Sequence, residues 1–446
     1  MHDSIMETIR PGPRAGVVSI PASKSRAHRL LICAALSGAP SRIGCRGISN
    51  DIQATANCLR ALGAGVDYLE KEAAYIVRPI SKIEKAPISL PCGESGSTLR
   101  FLLPLVGALG AHATFRMEGR LPERPLSPLK ELLEQHGMTI RRDNDLLRCS
   151  GKLTPGDYAI PGNISSQYVS GLLFALPLLS GESRLRVTGI VESADYITMT
   201  EDALSLAGFH WVRESAWSYR VPGGQVGTMP DFLSVESDWS SAAFFLALGA
   251  LSPAGVTVRG MNPDSLQGDR AILNLLSAFG AEVTVFSDQI HVRHLPLKGI
   301  SIQASAIPDL VPVLSAIACA AEGTTVIHGA ERLRMKESDR LQATTAMLSS
   351  LGADIHETAD GLIIHGKSML TRTPAAASDI GDGSAASQTP LAGGQVSSFG
   401  DHRIAMAAAV AAALCSSPVI VEGAQCTDKS FPGFWQTLNA LPVISH

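Results

Sequence analysis

The cationic and small polar residues of this 446-residue chain gather where loops run into apolar stretches. Lys24, Ser25 and Arg29 open one such stretch, and Gly93, Ser95, Gly96, Ser97, Thr98 and Arg100 open a second. Ser165, Ser166 and Gln167 open a third. A helix N-terminus offers unpaired N–H groups and a partial positive charge, and glycine lets an anion approach the backbone. These starts are therefore candidate phosphate or carboxylate sites. Further cations lie in ERPLSPL (Arg124), RLRMKESDRL (Lys336, Arg340), GDHRIAM (Arg403) and TDKSFPGF (Lys429). Arg grips carboxylate or phosphate through paired N–H bonds, and Lys adds a compact charge. Asp309 and Glu337 beside them are candidate acid–base groups. Gathered in one cleft, such groups would take a small polyanion.

Each feature also has a plainer reading. Ser165 taken alone is an ordinary helix cap. Glu337 and Arg340 are spaced i, i+3, as in a surface salt-bridged helix. His402 is either a proton carrier or a packed imidazole, and Cys92 and Cys426 read as small packing residues. No HExxH, P-loop or dinucleotide fingerprint occurs, so neither a metal nor a nucleotide cofactor is indicated. A net charge of -4 argues against a basic nucleic-acid binder. The eight cysteines form no CxxC pair, which points to a reduced, cytoplasmic chain. Lys24, Arg26 and Arg29 before the apolar run at residues 30–36 mimic a secretion leader, but too far from Met1. No apolar run reaches membrane-spanning length.

These starts must be positioned by a repeated scaffold. A helix-like stretch ending in glycine recurs at Gly63, Gly137, Gly208, Gly280 and Gly352, spaced 74, 71, 72 and 72 residues apart. Each reads as an amphipathic helix stopped by a left-handed glycine and followed by an alternating strand, such as residues 282–286. A sixth copy runs through PGFWQTLNALPVI, displaced by an Ala/Ser/Gly/Thr-rich insertion over residues 366–394 that reads as an exposed mobile loop. Between these lies a second element, polar residues and then an almost wholly apolar helix, starting near Ser23, Ser95, Ser165, Asp238, Pro308 and Gly400. Helices apolar all round belong inside a lobe. Six units make two three-unit lobes, with a crossover near residues 230–240 and an opening strand over residues 8–20 assigned to the second lobe. Duplication alone would leave ordinary caps at the helix starts, and several starts read otherwise.

Taken in order, PASKSRAHR, CGESGSTLRF, ERPL, ISSQ, ESADYI, IPDL, RMKESDR, GDHRIAM and DKSFPGF resemble the motifs of the 5-enolpyruvylshikimate-3-phosphate synthase family, nearly end to end. The resemblance implies an α/β fold, the inside-out α/β prism, with two lobes of three βαβαββ-like units closing at a hinge. One lobe would be residues 21–237, the other residues 1–20 with 238–446. The implied reaction transfers the enolpyruvyl group of phosphoenolpyruvate to the 5-hydroxyl of shikimate 3-phosphate, through a tetrahedral intermediate, with release of phosphate. It belongs to the shikimate pathway towards chorismate and the aromatic amino acids. The resemblance further implies a cytoplasmic monomer with no metal or organic cofactor and no nucleic-acid or membrane partner.

Carried over residue by residue, the resemblance assigns Lys24, Ser25, Arg29, Ser165, Ser166, Gln167, Ser193, Tyr196, Asp309 and Lys336 to shikimate 3-phosphate. It assigns Lys24, Gly96, Arg124, Gln167, Arg340, Arg403 and Lys429 to phosphoenolpyruvate. Asp309 would receive the hydroxyl proton, Glu337 would protonate the enol methylene, and Lys24 would touch both substrates. An acid such as Glu337 must hold its proton beside cations that lower a carboxyl pKa, a tension the sequence leaves open. Glu94 stands where many members have Asn, Arg332 where some have a phosphate-contacting Asn, and the region around Asp428 and Lys429 departs further. Gly96 keeps the side-chain-free position at which glyphosate would compete with phosphoenolpyruvate. The rival readings are a UDP-N-acetylglucosamine enolpyruvyl transferase and a non-catalytic binder of phosphorylated metabolites. The first would need an Ala-Lys-Asn opening and a Cys-bearing loop, and the second would not need Asp309 or Glu337.

Overall fold

Residues 88–151 show the unit from which the molecule is built. Strand Ile88–Gly93 leads through a helix to a parallel strand, Ala113–Met117, then through a second helix to the hairpin Met138–Asp143 and Leu146–Gly151. The sheet order is first, second, fourth, third. Parallel neighbours require the crossover helix, whereas the closing hairpin returns antiparallel. The computed structural model describes residues 5–83, 86–368 and 389–444. Of the insertion expected over 366–394, residues 369–388 lie outside the described residues.

Twelve α-helices lie among the described residues, two per unit. In the first three units they are α1 (Lys24–Ala35), α2 (Asn50–Ala61), α3 (Gly96–Leu109), α4 (Leu129–Gln135), α5 (Ser166–Ala175) and α6 (Ala194–Leu206). The others are α7 (Trp239–Ala250), α8 (Ile272–Phe279), α9 (Val311–Ala318), α10 (Arg340–Ser350), α11 (His402–Ala411) and α12 (Phe434–Ala440). The odd-numbered helices are the apolar ones: every residue of α7, α9 and α11 is buried. The even-numbered helices bury one face, as with Ile272, Leu276 and Phe279 of α8. All five expected stop glycines take positive φ, from 70° at Gly208 to 114° at Gly280. The strand expected after Gly280 is Glu282–Val285. The sixth copy is α12, which has no stop glycine and ends in the extended Leu441.

The odd-numbered helices pack in threes. One hydrophobic core runs from Ala22 to Val235 and encloses α1, α3 and α5. The other takes Ile9, Val18 and Ile20 together with residues from Trp239 to Leu441, enclosing α7, α9 and α11. Among the described residues, six small mixed sheets flank these two cores. The expected opening strand is in fact two. Met6–Ile9 pairs antiparallel with Val419–Glu422, and Gly16–Ser19 pairs parallel with Val256–Arg259. Pro11 and Pro13 cannot donate to a ladder and Gly12 turns the chain at φ 105°, so one continuous strand cannot form.

The first-strand places of two sheets are filled from across the molecule. Gly16–Ser19 precedes the first core yet joins a sheet of the second, and Phe232–Ser234 pairs parallel with Ser41–Gly44 of the first unit. The chain therefore passes between the cores twice, and the two passages run side by side. Ser23 N–H donates to the Glu236 carbonyl at 2.7 Å, and Asp238 N–H to the Pro21 carbonyl at 3.0 Å. This double strand joins the halves at one edge and leaves a cleft bounded by helix N-termini from both.

Candidate active site between the two halves

Helix starts build the cleft walls. Ser23 accepts from the Arg26 N–H at 3.4 Å, Ser95 from Thr98 at 3.3 Å and Ser165 from Gln167 at 3.3 Å. Asp238 accepts from Ser241 at 2.7 Å and Asp401 from Arg403 at 2.9 Å. Five of the six inner helices are thus capped in the ordinary way, contrary to the expectation that several would not be. A cap takes one first-turn N–H and leaves others free, so cap and ligand site share the same turn. The exception is α9, which follows a 3-10 turn, Pro308–Leu310, that carries Asp309 and has no side-chain cap.

The cavity between the halves is lined by Lys24, Ser25, Arg29, Gly96, Arg124, Ser165, Ser166, Gln167, Ser193, Tyr196, Asp309, Lys336, Glu337 and Arg340. Its basic residues number seven, Lys24, Arg29, Arg100, Arg124, Arg332, Lys336 and Arg340, against the acidic Asp51, Asp309 and Glu337. In a chain of net charge -4 this is a strong local excess, and it sets the sign of the ligand. Arg403 and Lys429 stand behind this lining. Arg403 is 3% exposed with Nη2 at 3.2 Å from Asp309, and Lys429 borders a second cavity with Nζ at 3.1 Å from Glu94.

One arginine organises the two candidate acid–base groups. Arg340, 2% exposed, places Nη1 2.7 Å from Asp309, Nη2 2.9 Å from Glu337 and Nε 2.7 Å from Asp401. The i, i+3 pair of Glu337 and Arg340 therefore exists but is buried, not a surface pair. Residues 331–335 form a 3-10 turn and α10 begins only at Arg340, which turns both side chains inward. Arg124, from the first half, reaches Glu337 at 3.5 Å. Burial would push the Glu337 carboxyl up, but Arg124, Arg340 and Lys429 outweigh it and hold it well below the usual carboxylate range. Burial likewise opposes Arg403, Arg340 and Lys336 at Asp309, and the cations win there too. Lys336 moves the other way: burial pushes its ammonium down to about 8, against the pull of Asp309.

On the first half, Lys24 Nζ lies 2.9 Å from Asp51. Arg29 is spent inside its own half: it donates to Thr200 Oγ1 at 2.8 Å and to the carbonyls of Ser25 and Tyr196 at 2.7 Å each. It shapes the wall more than it faces the cavity. Gln167 accepts from Arg100 Nη1 and donates to Ser97 Oγ, both at 2.9 Å. A Cβ at Gly96 would lie 2.7 Å from Arg100 Nη1 and 2.9 Å from Arg124 Nη1, so the missing side chain is what lets two guanidiniums approach the α3 N-terminus. Ser193 holds a left-handed backbone at φ 53°, a strain of the kind found at binding sites. Its Oγ accepts from Arg332 Nη2 at 3.0 Å.

Several buried donors here have no partner among the described residues: Nε and Nη1 of Arg403, and Nε of Arg124 and Arg100. Burying such groups unpaired costs about 1–3 kcal/mol each, so an anion that meets them is stabilised. No signal in the sequence marks Asp51, Asp401 or Glu192; Arg100 is marked only as part of a helix start, and Arg332 is left open between a contact to the shikimate phosphate and solvent. Arg332 lines the cavity and bridges the halves through an ion pair with Glu192. Their partners lie 27 to 140 residues away in sequence, beyond any local pattern. The motif that carries Arg100 was itself visible. Both ring nitrogens of His402 are buried without a hydrogen bond among the described residues, and burial holds it well below its ordinary value, so it is neutral. All eight cysteines are free thiols. Among the described residues, no helix is long and apolar enough to cross a membrane, and no cluster of three or more His, Cys, Asp or Glu is arranged to hold a metal ion.

A profile of the family described as EPSP synthase (3-phosphoshikimate 1-carboxyvinyltransferase) matches residues 10–438. A curated relative from Clostridium kluyveri, named 3-phosphoshikimate 1-carboxyvinyltransferase, is 40% identical over 436 residues, 97% of this chain and 96% of its own length. A relative of the same name from Clostridium novyi is 38% identical with the same coverage. A solved structure described as EPSP synthase from Acinetobacter baumannii matches 98% of both chains with a TM-score of 0.76 at 26% identity. The fold is that of the inside-out α/β prism.

Proposed function

We propose, starting from the fact that the chain belongs to the EPSP synthase (3-phosphoshikimate 1-carboxyvinyltransferase) family, that the cleft between its halves is where the reaction takes place. That reaction transfers the enolpyruvyl group of phosphoenolpyruvate to the 5-hydroxyl of shikimate 3-phosphate. Lys24, Ser25, Ser165, Ser166, Gln167, Ser193, Tyr196, Asp309 and Lys336 hold the shikimate phosphate side, with Arg29 supporting the wall. Lys24, Gly96, Arg124, Gln167, Arg340, Arg403 and Lys429 hold phosphoenolpyruvate. Residues 21–237 and residues 1–20 with 238–446 act as lobes that close at the double passage. The enzyme works in the cytoplasm as a monomer.

The observation that carries this reading is Arg340, which holds Asp309 and Glu337 at once from a buried position. The neighbouring cations keep both carboxylates ionised. A phosphate and a carboxylate from phosphoenolpyruvate then compete for Arg124, Arg340 and Arg403, and both carboxyl groups become more basic. Glu337 can now carry a proton and deliver it to C3, while the 5-hydroxyl oxygen bonds to C2 and gives its proton to Asp309, beside Lys336. The tetrahedral adduct collapses when Glu337 takes a proton back from the new methyl group and the C2–O bond to phosphate breaks, the phosphate leaving with the proton that Asp309 had taken. Water exclusion on closure strengthens these contacts and protects the adduct. Arg332 joins the shikimate phosphate side, because it already donates to Ser193.

The deciding experiment supplies purified protein with phosphoenolpyruvate and either shikimate 3-phosphate or UDP-N-acetylglucosamine, and follows phosphate release. Release with the first acceptor alone is expected. Release with the second, or binding of both substrates without release, would overturn the reading.

A further inference from the structure

Glu94 stands between strand Ile88–Gly93 and α3, on the first half, yet its carboxylate reaches the second. Its Oε2 lies 3.1 Å from Lys429 Nζ. The same ammonium lies 3.7 Å from Glu337 Oε1, so Lys429 sits between two carboxylates. They differ in setting: the Glu94 side chain is 46% exposed, that of Glu337 13% and that of Lys429 8%. An ammonium this near an enclosed carboxylate is drawn onto it, since the attraction strengthens as water is excluded. Here it rests nearer the exposed partner. Gly119 makes the place for Glu94, because a Cβ there would collide with the Glu94 carboxylate.

We propose that Glu94 is a positioning residue for Lys429, holding the ammonium at the cleft wall and off Glu337 so that Glu337 can carry the proton it delivers. The inference rests on the reading of Glu337 as the acid. Glu337 faces Arg124 from the loop before α4, Arg340 at the start of α10, Lys429, and His402 at the start of α11. Across the cavity it faces Asp309 and Lys336. Lys429 in turn faces Asp51 as well as Glu94. Arg124, Arg340 and Lys429 all meet substrate anions under the reading above, and Lys429 is the one whose distance from Glu337 is set by a carboxylate of the first half, Glu94. Loss of the Glu94 charge acts on Glu337 in two ways of the same sign. It removes a nearby negative charge, and it leaves Glu337 as the nearest carboxylate pairing with Lys429.

The test is the pH profile of kcat between about pH 6 and 9 for the parent, Glu94→Gln and Glu94→Asp, with Glu337→Gln as the control. Turnover that needs protonated Glu337 falls as pH rises through its titration, so Glu94→Gln should move that alkaline limb to lower pH. The expected shift is roughly half a unit, or about a threefold loss of kcat on the limb, with the KM for shikimate 3-phosphate within about twofold of the parent. Glu94→Asp keeps the charge and should stay closer to the parent. An unmoved limb in Glu94→Gln, or equal shifts in both variants, would overturn the proposal while Glu337→Gln remains inactive. A Glu337→Gln enzyme that turns over at the parental rate would instead overturn the acid assignment beneath it.

Discussion

At the scale of single residues, the site works by competition among charges held too close to relax. Lys24 pairs with Asp51 and Glu337 with Arg340, and a ligand must replace or loosen such pairs to bind. Lys24→Ala should raise KM for both substrates roughly tenfold or more, because it removes a half-buried cation. Glu337→Gln should instead lower kcat by about 10²- to 10⁴-fold with a much smaller change in either KM, as steady-state kinetics would show. Equal losses in binding and turnover would contradict the role given to Glu337. Lys336 offers a check on the ligand-free protein. Its folded-state value of about 8 lies below the ordinary 10.5, so its contribution to stability is fully present above 10.5 and is lost as pH falls through about 8. Relative to Lys336→Met, the parent should therefore gain stability in denaturant titrations as pH rises from about 8 to 10.

At the scale of elements, the repeated unit depends on how each even-numbered helix stops. Gly280 takes φ 114°, and a Cβ there would lie 2.6 Å from the Pro296 carbonyl oxygen. Gly352 takes φ 96° but would meet nothing among the described residues nearer than Ala392 N at 3.7 Å. Both positions carry the backbone cost of an alanine, and only the first adds a clash with backbone. Gly280→Ala should cost roughly 3 kcal/mol and Gly352→Ala roughly 1 kcal/mol in chemical denaturation. Equal effects would mean that left-handed backbone alone, rather than the approach of the following loop, demands glycine.

At the scale of the whole molecule, two cores joined by a double passage create a cationic cleft in an acidic chain. Its field should steer small anions, and such steering is screened by salt. Raising ionic strength from about 0.02 to 0.5 M should lower kcat/KM for phosphoenolpyruvate by about fivefold or more while kcat changes less. A salt-independent kcat/KM would mean that the positive lining acts only after binding. The ion pairs across the cleft, Arg124 with Glu337, Arg332 with Glu192 and Lys429 with Glu94, belong to this same scale, because neither half has both partners.

The sequence by itself determined the repeat, the apolar inner helices and the stop glycines, because each is set by neighbours within a few turns of chain. It also marked the helix-start and cation motifs, whose residue types carry their chemistry wherever they sit. Only the tertiary structure decided that Arg340 holds two carboxylates at once, that Arg29 turns into its own half, and that Glu94 meets Lys429 335 residues away. It likewise split the opening segment into two strands of different sheets. The division has one cause. Local backbone preference and apolar spacing are properties of short segments, whereas charge pairing and strand exchange depend on which distant segments the fold brings within a few ångströms.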